Sequence, residues 1–135
     1  MRKLIVDTNI ILAYLHSQNQ NILNIIDDDD TQIYTPNYLI YEFIKHQQRI
    51  MAKSKLDNAE YAELIGFLLS RLYFINIRDI DFVNISHALQ LCGEVDQNDT
   101  MFIALSLQLD CPLWTRDDVL KTGLRQRGFD NFFSV

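Results

Sequence analysis

The sequence predicts an α/β fold: a three-layer α/β/α sandwich around a mostly parallel sheet of about five short strands. Three observations carry that expectation. Short apolar stretches alternate along the whole chain with longer segments of helical period. The first stretch, Leu4-Ile5-Val6, is apolar at successive positions, as expected of a strand covered on both faces in a parallel sheet. Glycine and proline number only 4 and 2, so helices and strands should fill most of the length. A chain of 135 residues fits one domain, 1–135, and with 48% hydrophobic residues it can bury a sizeable core.

The elements follow in order. After the first strand, Ile10 to His16 reads as a helix and Asn21 to Ile26 as the centre of a second. Asp27 to Asp30 are four consecutive acids, placed in a loop because a helix C-terminus disfavours anions. A solvated turn explains them better than a cation site does. Gln32 to Thr35 is a short strand, and Pro36 suits the first turn of a helix running from about Asn37 to Met51. Lys53 to Asn58 is a polar break before a helix from Ala59 to Arg71. Tyr73 to Ile77 is a strand, and Ile80 to Leu91 a helix stopped by Gly93. Asp96 to Leu109 is a nearly all-apolar, hence buried, helix. Pro112 to Thr115 is a strand, Asp118 to Arg127 a helix stopped by Gly128, and Asn131 to Ser134 a last strand. Repeats, low-complexity segments and linkers are absent from the sequence.

A formal net charge of −6 argues against a generic polyanion binder, although acids gathered round a cation would also lower the isoelectric point. Cys92 and Cys111 have no metal spacing, form no disulfide framework, and read as buried thiols. No apolar run approaches a membrane span, and the start lacks a signal-peptide core. The expectation is a reduced, cytoplasmic, soluble protein without membrane contact.

Four acids stand out, each with an ordinary alternative. Asp7, in Ile5-Val6-Asp7-Thr8-Asn9, falls at the carboxyl end of the first strand, where ligand sites of such sheets lie; it could equally N-cap the next helix. Glu42 shares one face of its helix with Lys45, His46 and Arg49. Leu39, Ile40, Phe43, Ile44, Ile50 and Met51 fall on the other. The alternative there is a solvated polar face with an i,i+3 ion pair. Asp99 stands at the mouth of the buried helix, where Asp96 and Asp99 could form a weak capping box. Asp117 follows Leu113-Trp114-Thr115-Arg116, an apolar strand then an acid, as at Asp7; Thr115 with Asp118 could again cap a helix.

Taken together these motifs resemble the PIN-domain family of small metal-dependent nucleases. The likeness covers nearly the whole chain. It rests on Ile5-Val6-Asp7-Thr8-Asn9, on Glu42 after the second strand, on Asp99-Thr100-Met101-Phe102-Ile103-Ala104-Leu105, and on Leu113-Trp114-Thr115-Arg116-Asp117. The resemblance implies Asp7, Glu42, Asp99 and Asp117 as an acidic quartet, supported by Asn9 and Thr115, with Asp96 matching an extra acid of some relatives. It further implies an endoribonuclease dependent on Mg²⁺ or Mn²⁺. Many bacterial relatives are ribonuclease toxins held inactive by an antitoxin, and relatives often form homodimers.

The chemistry suits those residue types. Hard oxygen ligands select Mg²⁺ or Mn²⁺, and such an ion polarises a phosphate and makes a bound water nucleophilic. Asp7 and Asp99 would be the main ligands, Glu42 a ligand or a guide for the water, and Asp117 an outer or second-ion ligand. Candidate phosphate contacts are Lys45, Arg49 and Lys53 beside Glu42, and Arg116, Lys121 and Arg125 beside Asp117; ordinary solubilising charge is the alternative for each. His16, His46 and His87 read as surface or core fillers, and Tyr34, Tyr73, Phe74 and Trp114 as core. Tyr38, Tyr41, Tyr61 and Phe67 offer aromatic surface for a dimer. A different class of function remains open: a catalytically weak binding or assembly module on the same fold.

Overall fold

The computed structural model describes residues 1–93 and 99–134; the expectation for Asp96 falls outside them. The elements are β1 (Arg2–Val6), α1 (Thr8–Ser17), α2 (Gln20–Ile26), β2 (Thr31–Pro36), α3 (Leu39–Ser54), α4 (Asn58–Arg71), β3 (Leu72–Ile75), α5 (Phe82–Cys92), α6 (Thr100–Leu109), β4 (Leu113–Trp114) and α7 (Asp118–Gln126). A 3₁₀ turn, Ile77–Asp79, follows β3. The four strands form one wholly parallel sheet in the order β3-β2-β1-β4.

Alternation along β1 sorts the core. Leu4 and Val6 join α1 to α4 on one face, with Ile10, Leu15, Leu39 and Leu68. Ile5 points the other way, to Ala88, Phe102, Ile103 and Leu124 of α5, α6 and α7. All three β1 residues are fully buried, and each side chain so buried contributes about 1.5–3 kcal/mol. The expected three layers are present. The apolar run of α6 is buried from Phe102 to Ser106, and the Ser106 hydroxyl donates to the Cys111 carbonyl at 2.5 Å, so the polar group is satisfied inside.

Several expectations are corrected. The last segment adds no full strand: β4 is two residues long, and Phe132 makes a single bridge to Leu113. Pro36 ends β2 and does not open a helix. A strand's last residue can lack an N–H, and Asn37 then donates to the Ile75 carbonyl at 2.8 Å. β3 stops at Ile75 because Asn76 turns back to accept from Arg78 N–H at 2.9 Å, starting the 3₁₀ turn. α3 continues to Ser54 and ends where Lys55 adopts the left-handed conformation. Its buried stripe is Leu39, Phe43 and Ile50; Ile40 and Ile44, about 100° round the helix, are 40% and 67% exposed. Tyr73 is exposed and stacks on Tyr34. Of the aromatics offered for a dimer, Tyr61 is buried and Phe67 packs against the core, leaving Tyr41 exposed beside Ile40 and Ile44.

The four-acid loop is a structural tie. Asp28 accepts from Asp30 N–H at 3.0 Å and from the Thr31 hydroxyl at 2.8 Å, and Arg71 at the end of α4 pairs with Asp27 and Asp29.

Candidate active site

The chain crosses from β1 to β2 to β3 on one side, then returns to place β4 on the other side of β1. The carboxyl ends of β1 and β4 therefore flank the point where the sheet's winding reverses, the usual place for a ligand crevice. Val6 pairs with Trp114, and Asp7 N–H continues the ladder to the Trp114 carbonyl at 3.0 Å. Asp7 and Thr115 are thus side by side at the sheet's end.

Their side chains meet. The Thr115 hydroxyl donates to Asp7 Oδ2 at 2.7 Å and accepts from Asp117 N–H at 3.1 Å. Asn9 Nδ2 donates to the same oxygen at 3.4 Å. A hydroxyl has one proton, and here it goes to the carboxylate, so the Asn9 amide must turn its nitrogen to Thr115. That leaves Asn9 Oδ1 buried without a hydrogen-bond partner. Asp7 sits at the N-cap position of α1; its side chain makes no cap hydrogen bond of good geometry, though the nearby N–H groups of Asn9 and Thr8 favour its charged form.

Asp7 is only 4% exposed, and among the described residues it has no cationic partner. Burial pushes its pKa above the ordinary 3.8, and the Asp117 charge adds to the rise; Thr115 and the N–H groups of Asn9 and Thr8 pull the other way.

Asp7, Glu42 and Asp99 line one open cleft of about 800 Å³, with Tyr38, Lys45 and Thr100. Three elements deliver the acids: the end of β1, the first turn of α3, and the start of α6. Asp99 occupies the N-cap position of α6 without a side-chain cap hydrogen bond. Glu42 is half-buried, and its partner is His46 at 3.0 Å, one turn along, not Lys45.

Two residues escape the sequence reading, one bonded to an acid of the cleft and one in the cleft itself. His46, expected as filler, holds Glu42. Tyr38, expected at a dimer surface, lies in the cleft edge-on to Phe102 at 5.6 Å. Burial raises the pKa of its phenol, and the charges of Asp99, Asp7 and Glu42 raise it further, so it is a neutral O–H among three carboxylates. Its position directly after β2, at the same end of the sheet as Asp7, is the signal that could have found it.

Asp117 is not among the residues lining the cleft. It takes the N-cap of α7, accepting from Leu120 N–H at 3.0 Å, the capping role the sequence offered to Thr115 with Asp118. Arg116 and Lys121 line a separate depression beside Thr115. Arg125 is occupied by Asp130 at 2.6 Å and by the Phe132 ring. Arg49 and Lys53 line a groove between α1 and α3. His87 is exposed.

Among the described residues no three His, Cys, Asp or Glu side chains form a preformed cage for one ion. The donor set nonetheless fits a hard divalent cation. It consists of the carboxylate oxygens of Asp7, Glu42 and Asp99, the first buried and, among the described residues, without a positive neighbour. Also among the described residues, no helix is long and apolar enough to cross a membrane.

Comparison with known proteins agrees with the geometry. Among the solved structures similar to this chain is that of VapBC2 from Rickettsia felis, bound to a DNA fragment from their promoter. The match has a TM-score of 0.67 at 15% identity, covering 96% of this chain and 95% of that one. It shows a shared fold. No curated protein matches the sequence. The sequence pattern of the PIN domain matches residues 5–132, nearly the whole chain, and this chain therefore belongs to the PIN-domain family, a family of nucleases.

Proposed function

We propose that this chain is an endoribonuclease that depends on Mg²⁺ or Mn²⁺ and hydrolyses RNA phosphodiesters with a metal-activated water. The observation that carries the reading is the cleft in which Asp7, Glu42 and Asp99 meet from three elements. Those three would hold the ion, with Asp96 and Asp117 as further acids of the same site. A bound divalent ion would supply an acidified water and neutralise charge developing on the phosphate.

The remaining work falls to the chain's own side chains. Thr115 fixes one oxygen of Asp7, which lines the cleft. Asn9, through its bond to Thr115, keeps that hydroxyl's proton directed at the carboxylate. His46 restrains the Glu42 carboxylate. Lys45 on the cleft wall would contact the substrate phosphate, with Arg49, Arg116 and Lys121 as flanking contacts that position the strand without reading its sequence. The likeness to VapBC2 supports a role as the toxin of a toxin–antitoxin pair, with an antitoxin protein as partner.

The acids of the cleft could also serve one second reading, a catalytically weak nucleic-acid-binding or assembly module on the same fold. Product analysis separates the two. The nuclease reading expects cleavage that needs Mg²⁺ or Mn²⁺, stops with chelator, and leaves 5′-phosphate and 3′-hydroxyl ends. Asp7→Asn or Asp99→Asn should abolish it, and His87→Ala should not. An RNA carrying one 2′-deoxy residue at the scissile position should still be cut. A block there, or cyclic phosphate ends, would overturn the metal-water chemistry.

A further inference from the structure

We propose that α3 and α1 form a cationic track that leads out of the acidic cleft and holds successive backbone phosphates of a single-stranded nucleic acid. The inference deepens the nuclease reading and rests on it for the identity of the polyanion.

Lys45, Arg49 and Lys53 stand at i, i+4 and i+8 of α3. Residues four apart form one row on a helix surface, each about 6 Å further along the axis. That step is of the order of the spacing between neighbouring phosphates in an extended strand. The row begins in the cleft, which Lys45 lines together with Asp7, Glu42 and Asp99. One and two turns further on, Arg49 and Lys53 line a second groove of about 280 Å³ between α1 and α3. His16 of α1 lines that groove with them. Asn9 lies on the floor and joins the groove to the Thr115–Asp7 network.

Their placement in one row beside the cleft sets these cations apart. The chain carries a net charge of −6, and among the described residues three of its seven arginines are ion-paired. Arg2 pairs with Asp28, Arg71 with Asp27 and Asp29, and Arg125 with Asp130. Among the described residues, Lys45, Arg49 and Lys53 make no ion pair. All three are exposed, as is His16. Three unpaired cations in one row beside the cleft give this acidic protein a local field opposite in sign to its overall charge. Such a row attracts phosphates that the cleft acids alone would repel. Neither groove wall presents an exposed aromatic ring, so the track grips the backbone and not the bases.

The test is binding without cleavage. A fluorescein-labelled oligouridylate of about 12 nucleotides, within the usual span of single-strand sites, is titrated in EDTA over a range of salt. Each lost phosphate contact lowers the slope of log K against log salt by about 0.7 for a single strand. Arg49→Gln and Lys53→Gln should each reduce the slope by that amount, and the double variant by about twice as much. Lys3→Gln, which changes net charge equally at the opposite end of β1, should leave the slope as it is. Circular dichroism confirms that each variant is folded. Unchanged slopes in both track variants, or an equal change in Lys3→Gln, would overturn the proposal. So would saturable binding of oligoglutamate in place of the oligonucleotide, because the track would then belong to an acidic protein segment. Cleavage plays no part in the readout, so a negative result strikes the track and leaves the nuclease reading to its own assay.

Discussion

Thr115→Val is the most informative single change. The two side chains have nearly the same shape, so packing of the buried site is kept and only the hydroxyl is lost. Three hydrogen bonds go with it: to Asp7 Oδ2 at 2.7 Å, from Asp117 N–H at 3.1 Å and from Asn9 Nδ2 at 3.4 Å. The first is short, buried and made to a carboxylate; removing such a bond costs about 1.5–3 kcal/mol, and an ordinary one about 0.5–1.5 kcal/mol. The long Asn9 contact adds little. The expected loss at neutral pH is about 2–4 kcal/mol, which for a domain of this size lowers Tm by roughly 7–14 °C. The loss also depends on pH. Asp7 has a folded-state pKa raised above 3.8, so its favourable contribution is complete below 3.8 and is lost as pH rises through the folded value. Thr115 opposes that rise by bonding the charged form. Thr115→Val should therefore raise the folded pKa further and cost most where Asp7 is ionised. Below pH 3.8 only neutral hydrogen bonds are lost, and the cost should fall to about 1–2 kcal/mol. Urea denaturation at several pH values measures both figures. A penalty below about 0.5 kcal/mol at pH 7, less than one ordinary hydrogen bond, would refute this account of the network. So would a penalty that does not shrink in acid.

Three further outcomes follow from the same geometry. Asp7→Asn removes a buried charge and keeps a partner for the Thr115 hydroxyl, so in metal-free buffer its Tm at pH 7 should exceed the wild type's and lose pH dependence just above pH 3.8; a lower Tm in thermal scans would contradict it. Mn²⁺ at about 100 times its Kd should stabilise the wild-type protein by about 2.7 kcal/mol and leave Asp7→Asn unaffected, as differential scanning fluorimetry can read. His46→Ala should weaken Mn²⁺ binding about 10–100-fold by releasing Glu42, with His46→Gln recovering part of the loss in a calorimetric titration; equal affinity in wild type and His46→Ala would remove His46 from the site.

What the sequence makes legible follows the range of the interaction. The layered fold is written locally: Leu4-Ile5-Val6 can only be a strand buried on both faces, and Met101 to Leu105 only a core helix. Boundaries shift where one side chain competes with the ladder, as Asn76 does after β3. Ile40 and Ile44 show a different limit. A helical wheel marks them apolar, but which part of an apolar arc is covered depends on where α1 crosses α3. The site behaves likewise. Asp7, Glu42 and Asp99 can be named from motifs, yet that His46 holds Glu42 and that Tyr38 stands among three acids depend on packing distant in sequence. The separation of Lys45 from Arg49 into two grooves is also invisible to a periodicity of four.

Asp7 and Asp117 show why the same local pattern has two fates. Each follows an apolar strand at its carboxyl end. Asp7 comes directly after Val6, while the ladder still holds, so its N–H is tied to Trp114 and its side chain is trapped against Thr115 inside the protein. Asp117 comes three residues after Trp114, past the end of the sheet, where its side chain is free to reach the first turn of α7 and cap it. One carboxylate is thus spent on a backbone N–H and is stable as it stands. The other is held dry, where burial disfavours its charge. Such a carboxylate lowers its free energy by taking up a proton or a cation. Moving Asp7 outward by one residue, with a Gly inserted after Val6, should exchange those fates. Asp7 would become solvated, its pKa would return towards 3.8, and the stabilisation by Mn²⁺ expected of the wild-type chain would disappear. An NMR titration of the Asp7 carboxyl carbon in the insertion variant reads this directly. A pKa still raised would mean that burial by the cleft walls, and not the register of β1 with β4, sets the charge on this residue.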